Sequence, residues 1–429
     1  KRRAVLLGTA MALGTCFLVL ASSFVAGISQ TLFDRVMTYV AGHASVLVCD
    51  RGYLFRTTLR GRADLKERIA KLPHVRRVQE TMGIMCRMVG PLKGDNGILI
   101  GIDMNRELSA AELQETEDNF PMVVGSFLDL KREGLDIPAI LAKPKADFLG
   151  VKAGDKLAVR FTDSRGRNQV AHLAVVGLFK PANSFMEAPL FISMEKAKVL
   201  MDMDSTDLPY LYLTLDDPKT NAVPTADAIQ AMLEPRPAAL PARIDFAGRS
   251  ESVIVAGIKS DSVSRARLGS RIALSKEWKG SVVALATVSG LGAKAGDTVR
   301  IVSGVSAAGD TIADMAVVAG VWEPPAAAGN LALWEEDAFQ AARSFRSRLP
   351  GDTGSAQVQA CAASLDSLLS PEWALLPRAK STDEVRDQVR RIGSREWKAP
   401  VVVVRTMYET GEQILKLANA LNVITLVAV

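Results

Sequence analysis

The longest uninterrupted apolar stretch of the sequence stands at its beginning. Thirty residues, Ala4 to Phe33, carry no charged side chain, and Lys1, Arg2 and Arg3 come directly before them. A membrane-spanning helix needs about 20 apolar residues, and flanking basic residues stay on the cytoplasmic side. Residues 1–33 therefore predict a first transmembrane helix that sends the following chain out of the cytoplasm. The alternatives are a cleaved signal peptide and a lipoprotein signal that ends at Cys16.

A second apolar stretch closes the sequence. Residues 407–429 have a helical pattern, with Glu409 and Glu412 early, Lys416 later, and no charge from Leu417 onward. This pattern predicts a stalk followed by the start of a second transmembrane helix. A C-terminal core helix is the alternative.

Between these stretches, the hydrophobic period switches between that of a strand and that of a helix. Ser45–Cys49 predicts a strand, Ala63–Lys71 an amphipathic helix, and Val75–Met88 and Gly97–Ile102 further extended segments. This β-α-β order is typical of an α+β domain. We assign residues 34–233 to such an extracytoplasmic α+β domain.

Two later stretches of sequence nearly repeat each other. Each has a Leu-Gly or Gly-Leu-Gly start, a Gly-Asp turn, a strand, a polar turn and a return strand that ends before a proline. Glycine tolerates positive φ, and aspartate bonds to nearby backbone, so these residues suit tight turns. The turn residues are Gly150, Gly154 and Asp155 in the first copy, and Gly292, Gly296 and Asp297 in the second. We interpret the pattern as an internal duplication of one β-rich module, with the acidic segment Glu107–Asn119 as additional helix in the first copy. Convergence of two hairpins on a common turn is the alternative.

The duplication suggests how the remaining chain is divided. The Pro-rich segment Glu234–Pro241 predicts a linker over residues 234–250. The second copy of the module then covers residues 251–346, and residues 347–406 return to the first domain.

Composition and motifs give no sign of catalysis. The formal net charge is +5, and the basic residues are scattered among acidic ones, which does not favour nucleic-acid binding. No nucleophile motif, zinc spacing or phosphate-binding glycine loop is present. We therefore expect no catalytic residue, no metal and no cofactor bound by this chain. Outside the first apolar stretch, Cys49, Cys86 and Cys361 are odd in number, which leaves their disulfide state open.

The order of these features resembles the ABC-transporter permeases of the MacB, FtsX and LolC/LolE type. The likeness is carried by the basic start and first helix, by the motif Leu149-Gly150-x-x-x-Gly154-Asp155, and by Val176-Gly177 in the return strand. Gly42–Val46 and Glu396-Trp397 resemble the segments by which the chain of such permeases leaves and re-enters the membrane region. The likeness covers most of residues 1–215 and 380–429.

The resemblance implies a mechanical transmitter in the cytoplasmic (inner) membrane. In such permeases a separate ATPase subunit binds and hydrolyses ATP, and a second permease copy or paralogue completes the assembly. Stalk helices, here Asp34–Val40 and Met407–Lys416, carry the motion to an extracytoplasmic domain that moves lipoproteins, lipids or other hydrophobic substrates. One departure concerns the hairpin that forms a protruding hook in the lipoprotein-releasing member. Its counterparts here, Thr162–Asn168 and Ser303–Asp310, are short.

Two large apolar residues, Phe185 and Met186, stand in an otherwise polar connector between Pro181 and Pro189. Such residues suit binding of a partner or substrate, and the alternative is that they cover the edge of the module's own core. For the whole chain, two other functions compete with transport. One is an FtsX-like regulator of cell-wall hydrolases, and the other is a membrane-anchored extracytoplasmic binding protein.

Overall fold

A computed structural model of the chain describes residues 42–49, 58–104, 120–134, 137–164, 166–181, 187–260, 266–267, 280–305, 309–345, 358, 368–379, 381–394 and 396–409. The predicted membrane helix over residues 1–33, the acidic segment Glu107–Asn119 and the apolar residues after Glu409 lie outside these ranges. Within them, no helix has both the length and the apolar character needed to cross a membrane.

The described residues form strands and short helices, which confirms the α+β class. The strands are β1 (Ala44–Cys49), β2 (Val75–Val89), β3 (Gly94–Ile102), β4 (Met122–Val124), β5 (Pro138–Ala142), β6 (Lys156–Thr162), β7 (Asn168–Phe179), β8 (Pro189–Ser193), β9 (Tyr210–Leu215), β10 (Ala239–Phe246), β11 (Arg249–Ile258), β12 (Val282–Ala286), β13 (Thr298–Val305), β14 (Thr311–Trp322), β15 (Leu331–Glu335), β16 (Ala374–Leu375) and β17 (Val401–Thr406). The α-helices are α1 (Asp64–Ala70), α2 (Lys143–Leu149), α3 (Met194–Leu200), α4 (Pro218–Met232), α5 (Glu336–Phe345) and α6 (Thr382–Gly393). Short 3-10 helices cover Phe127–Lys131 and Ala326–Ala328.

One part of the molecule is a sheet covered by helices. Its strand order is β16-β17-β1-β9-β2, and β9 separates β1 from β2. The apolar runs of β1 and β17 are buried on both faces, as expected where helices cover a sheet on two sides. Val46 and Val404 pack with α1 and α4 on one face, whereas Cys49 and Val403 pack with Ile392 of α6 on the other.

The C-terminal half of β2 belongs to a closed ring of six strands, the first barrel. The ring runs β2-β3-β8-β5-β7-β6, and β6 closes it by pairing with both β7 and β2. Alternating residues of β6 point inward, with Leu157, Val159 and Phe161 buried, and form one core with residues of the other strands. A single strand, β2, therefore connects the helix-covered sheet to the first barrel.

Strands β10 to β15 form a second closed barrel, in the order β10-β11-β15-β12-β14-β13. Its ladders have the same directions as those of the first barrel, strand by strand. For example, β3 pairs in parallel with β8, and β11 pairs in parallel with β15. Even the bulge between Ala139 and Ile140 in the β5–β7 ladder has its counterpart between Val283 and Ala284 in the β12–β14 ladder. Arg87 of β2 and Arg243 of β10 occupy equivalent positions in the two barrels. Arg87 lies opposite Asn96 of β3 and Arg160 of β6. Arg243 lies opposite Ser252 of β11 and Val302 of β13.

The predicted linker over residues 234–250 is wrong for most of its length, because β10 runs through it and pairs with β11 and β13. Proline is tolerated at position 241 for a geometric reason. Pro241 pairs with Ile254, whose N–H is directed away from β10, to the carbonyl of Asn330 at 3.0 Å. Strand β11 therefore needs no hydrogen bond from the backbone nitrogen of Pro241. The ladder between β10 and β13 begins only at Arg243.

Candidate functional site

The first and last strands of the helix-covered sheet, β1 and β17, lie side by side. Strands β1 and β17 are antiparallel neighbours, with Ala44 opposite Thr406 and Cys49 opposite Val401. Just before β1, the carbonyl of His43 accepts a hydrogen bond from the Met407 N–H at 3.0 Å. The chain therefore enters and leaves this sheet at one point, which we call the stalk junction (Gly42–Ala44 and Thr406–Glu409).

The incoming side of the stalk junction is fixed to β9. The His43 N–H donates to the Leu213 carbonyl at 2.8 Å, and His43 Nδ1 accepts from the Leu215 N–H at 2.9 Å. Gly42 has a φ of +63°, and a Cβ there would stand 3.0 Å from the backbone of Leu213. Only glycine therefore fits at this point of close approach.

The outgoing side begins with a reciprocal helix cap. The Glu409 carboxylate accepts from the Thr406 N–H at 2.7 Å, and the Thr406 hydroxyl accepts from the Glu409 N–H at 3.4 Å. This capping box sets the start of a helix at Met407. Arg378 ties the same carboxylate to the body of the domain, because its guanidinium also binds Asp227 of α4 and donates to the Val223 carbonyl at 3.1 Å.

A buried polar cluster lies on the neighbouring face of the sheet. Burial lowers the pKa of the Arg405 guanidinium, although the Cys49 thiol and the Glu409 carboxylate act in the opposite direction. Arg405 donates to Gln388 of α6 at 3.3 Å. Burial also raises the pKa of Tyr212 to about 12, so this phenol stays neutral at physiological pH. The stalk junction thus lies next to buried polar side chains of the sheet.

The turn residues singled out in the sequence occupy equivalent places in the two barrels. Gly150 and Gly292 have φ values of +76° and +71°, and Gly154 and Gly296 have values of +97° and +94°. The carboxylates of Asp155 and Asp297 accept from the N–H groups of Lys152 and Lys294 at 2.8 and 2.7 Å. Phe185 and Met186 lie outside the described residues.

The hairpin tips of the two barrels meet each other. Arg167, at the β6–β7 turn, binds Asp163 of its own turn at 2.8 Å. It also reaches Asp310, at the β13–β14 turn of the second barrel, at 3.8 Å. The turns are therefore part of the contact between barrels.

Arg60 connects all three parts of the molecule close to these tips. Its guanidinium pairs with the fully buried Asp207 at 2.6 Å, and donates to Ser164 of the first barrel at 2.9 Å and to the Ser344 carbonyl of α5 at 3.0 Å. Neither Arg60 nor Asp207 stands in a recognisable motif, so nothing in the sequence indicated this contact. His43 likewise gave no sequence signal beyond being an isolated histidine.

The structure also bears on metal binding and thiol chemistry. Among the residues it describes, no three His, Cys, Asp or Glu side chains come together as a metal ion would need. Cys49 and Cys86 are both buried and neither forms a disulfide, and burial raises the pKa of Cys86 to about 11. Cys361 is outside the described ranges.

No family model matches this sequence, and no curated protein matches it either. Among solved structures, the periplasmic region of MacB from Actinobacillus actinomycetemcomitans is similar over 45% of this chain and 84% of that domain, with 13% identity and a TM-score of 0.30. The extracellular domain of the ABC-type transporter YknZ from Gram-positive bacteria is similar over 44% of this chain and 91% of that domain, with 12% identity and a TM-score of 0.29. At TM-scores this low, the likeness establishes neither a shared fold nor a shared function.

Proposed function

We propose that this chain is the permease subunit of an ABC transporter in the cytoplasmic membrane, with most of its length on the outer side. ATP is bound and hydrolysed by a separate ATPase subunit, and this chain carries no catalytic residue or cofactor of its own. A second permease, a copy or a paralogue, completes the assembly. The work done outside the membrane is movement of a lipoprotein, a lipid or another hydrophobic substrate.

The stalk junction is the observation that carries this proposal. The two segments predicted to reach the membrane, residues 1–33 and 407–429, connect to the folded part through neighbouring positions, His43 and Met407. A motion of two adjacent helices would therefore act on one point of the sheet. Since Gly42, the capping box and the Arg378 ion pairs hold that point closely, a displacement there would move the sheet and not only the connecting residues.

A continuous route leads from this sheet to the first barrel. Strand β2 pairs with β9 through its first half and belongs to the barrel through its second half. At its middle, the Glu80 carboxylate binds Lys66 of α1 at 3.1 Å and Lys198 of α3 at 2.7 Å. Lys66 also binds Asp103, just beyond β3, at 3.0 Å. These largely buried contacts join the sheet and the barrel into one mechanical unit.

We do not assign the β6–β7 hairpin a role in recruiting a chaperone. Its turn, Thr162–Asn168, is engaged with Asp310 of the second barrel through Arg167, and with Arg60 through Ser164. An outer domain with two barrels favours transport over the regulation of a cell-wall hydrolase, because it offers surface for a substrate beyond that of a single module.

The test is co-purification of the full-length native protein in mild detergent, with assay of the eluate for ATP hydrolysis. A bound ATPase subunit with hydrolysis is expected. Dependence of that hydrolysis on an added lipoprotein or lipid, and not on a cell-wall hydrolase, would separate transport from hydrolase control. A single band without hydrolysis would overturn the permease assignment and leave the anchored binding protein.

A further inference from the structure

The outer surface of the first barrel carries two arginines side by side on neighbouring strands. Arg87 of β2 lies directly opposite Arg160 of β6, and Arg160 lies opposite Val170 of β7. Both arginines are exposed. Met85, the next outward-pointing residue of β2, is 47% exposed, and Val170 is 59% exposed. We call this surface, made of Met85, Arg87, Arg160 and Val170, the arginine face.

The two guanidinium groups of the arginine face have little compensating charge. Neither forms an ion pair with a carboxylate of the residues that the structure describes. The nearest acidic residue on these strands, Asp95 of β3, accepts a hydrogen bond from Lys145. That bond, the Asn96 N–H and the charges of Lys145 and Arg87 hold the pKa of Asp95 below its ordinary value. This group of three cations therefore contains one carboxylate, and two positive charges are left over.

The shared barrel framework does not require this pair of arginines. Like charges at directly opposite positions of a β-ladder repel each other. At the equivalent positions of the second barrel, Arg243 lies opposite Val302 and binds Asp245 at 2.9 Å. The first barrel has Val89 in the place of Asp245. The second barrel thus forms the same ladders with one arginine and a carboxylate beside it, so the fold does not explain the uncompensated pair in the first.

The shape and composition of the arginine face suit another protein. Sites for small molecules are concave, whereas these four side chains project from the outer surface of three neighbouring barrel strands, β2, β6 and β7. Arginine and methionine are both enriched at protein–protein interfaces, and arginine is often among the few residues that supply most of the binding energy. A guanidinium group binds a carboxylate through two parallel N–H···O bonds. The complementary surface is therefore acidic, with apolar side chains beside the carboxylates.

The position of the arginine face along β2 favours a protein over the anionic headgroups of a membrane. Strand β2 begins with Val75, which pairs with Leu215, and the Leu215 N–H donates to His43 of the stalk junction. A strand rises about 3.3 Å per residue, so Arg87 lies about 40 Å along β2 from that end. Under the proposed function the stalk junction is the end next to the cytoplasmic membrane, and the arginine face lies away from it.

We propose that the arginine face binds an acidic surface of a second, extracytoplasmic protein. Carboxylates of that protein pair with Arg87 and Arg160, and apolar side chains next to them cover Met85 and Val170. The binding needs neither ATP nor an ATPase subunit. Its failure would therefore leave the permease assignment standing, and failure of the permease assignment would leave this binding to be measured by itself.

The test begins with the full-length protein in its own host cells and the photo-cross-linking residue p-benzoylphenylalanine in place of Val170. The matched control carries it in place of Ala313, which lies opposite Val302 at the equivalent position of the second barrel. We expect the first variant, and not the second, to cross-link to another protein, which mass spectrometry identifies. That protein is then purified, and its affinity for the full-length chain in nanodiscs is measured.

The affinity measurement decides whether the arginines carry the binding. The double variant Arg87→Gln, Arg160→Gln should weaken it roughly tenfold or more, whereas Arg243→Gln in the second barrel should leave it unchanged. Urea denaturation should show the double variant to be at least as stable as wild type, because a like-charge repulsion is removed. Cross-links only to a second copy of this chain, only to phosphatidylglycerol or to nothing would overturn the proposal, as would a captured protein that binds the double variant as tightly as wild type.

Discussion

At the turn of the β6–β7 hairpin, the Asp163 side chain is almost completely buried. It accepts hydrogen bonds from the Arg167 N–H at 2.9 Å, the Arg167 guanidinium at 2.8 Å and the Gln169 amide at 3.0 Å. Burial alone would raise the pKa of Asp163, but these hydrogen bonds and the Arg167 charge hold its pKa below the ordinary value. The ionised form is therefore the one that the folded chain prefers.

This preference makes the turn sensitive to acid. Because the pKa is lower in the folded than in the unfolded state, the stabilisation is complete above an unfolded pKa of about 4 and is lost as pH falls through the folded pKa. Asp163→Asn should lower the free energy of unfolding by about 1–3 kcal/mol near neutral pH, and its deficit relative to wild type should shrink below about pH 4. Urea denaturation at several pH values measures this. Asp147→Asn, in an exposed pair with Lys143, is the control, and a deficit of Asp163→Asn that does not change with pH would contradict the argument.

At the scale of elements, the paired Gly-Asp turns are the clearest local determinants of the barrels. In each barrel the turn glycine donates its N–H to the return strand, Gly154 to the Val175 carbonyl at 2.7 Å and Gly296 to the Val318 carbonyl at 2.8 Å. Both glycines have left-handed φ values, and a Cβ at either would meet nothing within 4 Å. A side chain at either position would therefore destabilise the turn through its backbone conformation and not through a steric clash.

Gly154→Ala and Gly296→Ala should each destabilise the protein by about 1–2 kcal/mol, since left-handed backbone costs an L-residue that much. The two values should agree because the two turns have the same geometry. Gly393→Ala is the matched control: it also has open space around a Cβ, but its φ is not positive, so it should be neutral or slightly stabilising. Urea denaturation of the three variants measures these differences in stability. A neutral Gly296→Ala beside a costly Gly154→Ala would show that the second turn does not hold its barrel as the first does.

For the molecule as a whole, one of the contacts between the parts is built around a buried ion pair. Asp207 is 0% exposed and accepts from Arg60 at 2.6 Å and from the N–H groups of Gly61 and Asp204 at 2.9 and 3.1 Å. Arg60 in turn reaches the first barrel through Ser164 and α5 through the Ser344 carbonyl. Removing one charge leaves the other buried without its partner, while removing both does not.

Asp207→Asn should therefore cost about 3–5 kcal/mol, and the double variant Arg60→Met, Asp207→Leu should recover part of the loss. The measurement is urea denaturation, with hydrogen exchange at the hairpin tips and α5 as a local readout of the contact. Asp216→Asn, which removes an exposed partner of Arg76, should change stability by less than about 1 kcal/mol. If Asp207→Asn behaves like Asp216→Asn, the ion pair does not hold the parts together.

Local patterns in the amino-acid chain were enough for much of the fold. Alternating and apolar runs located β1, β2, β3, β6 and β7, and the amphipathic pattern located α1, because these elements depend on periodicity that is visible within a few residues. The Gly-Asp turns were found for the same reason, since turn chemistry is local. The Pro-rich start of the second module was misread as a linker. Whether Pro241 breaks a ladder depends on which way its nitrogen points, and that depends on its neighbours in the barrel.

Relations between distant residues could come only from the folded chain. Closure of each barrel joins strands that are far apart in sequence, as when β6 returns to β2 or β13 to β10, and no local pattern specifies such a pairing. The adjacency of His43 and Met407, the junction around Arg60, and the pairing of Arg87 with Arg160 are consequences of those pairings. Each brings together side chains whose separate sequence contexts are ordinary, so their chemistry exists only once the strands have found their partners.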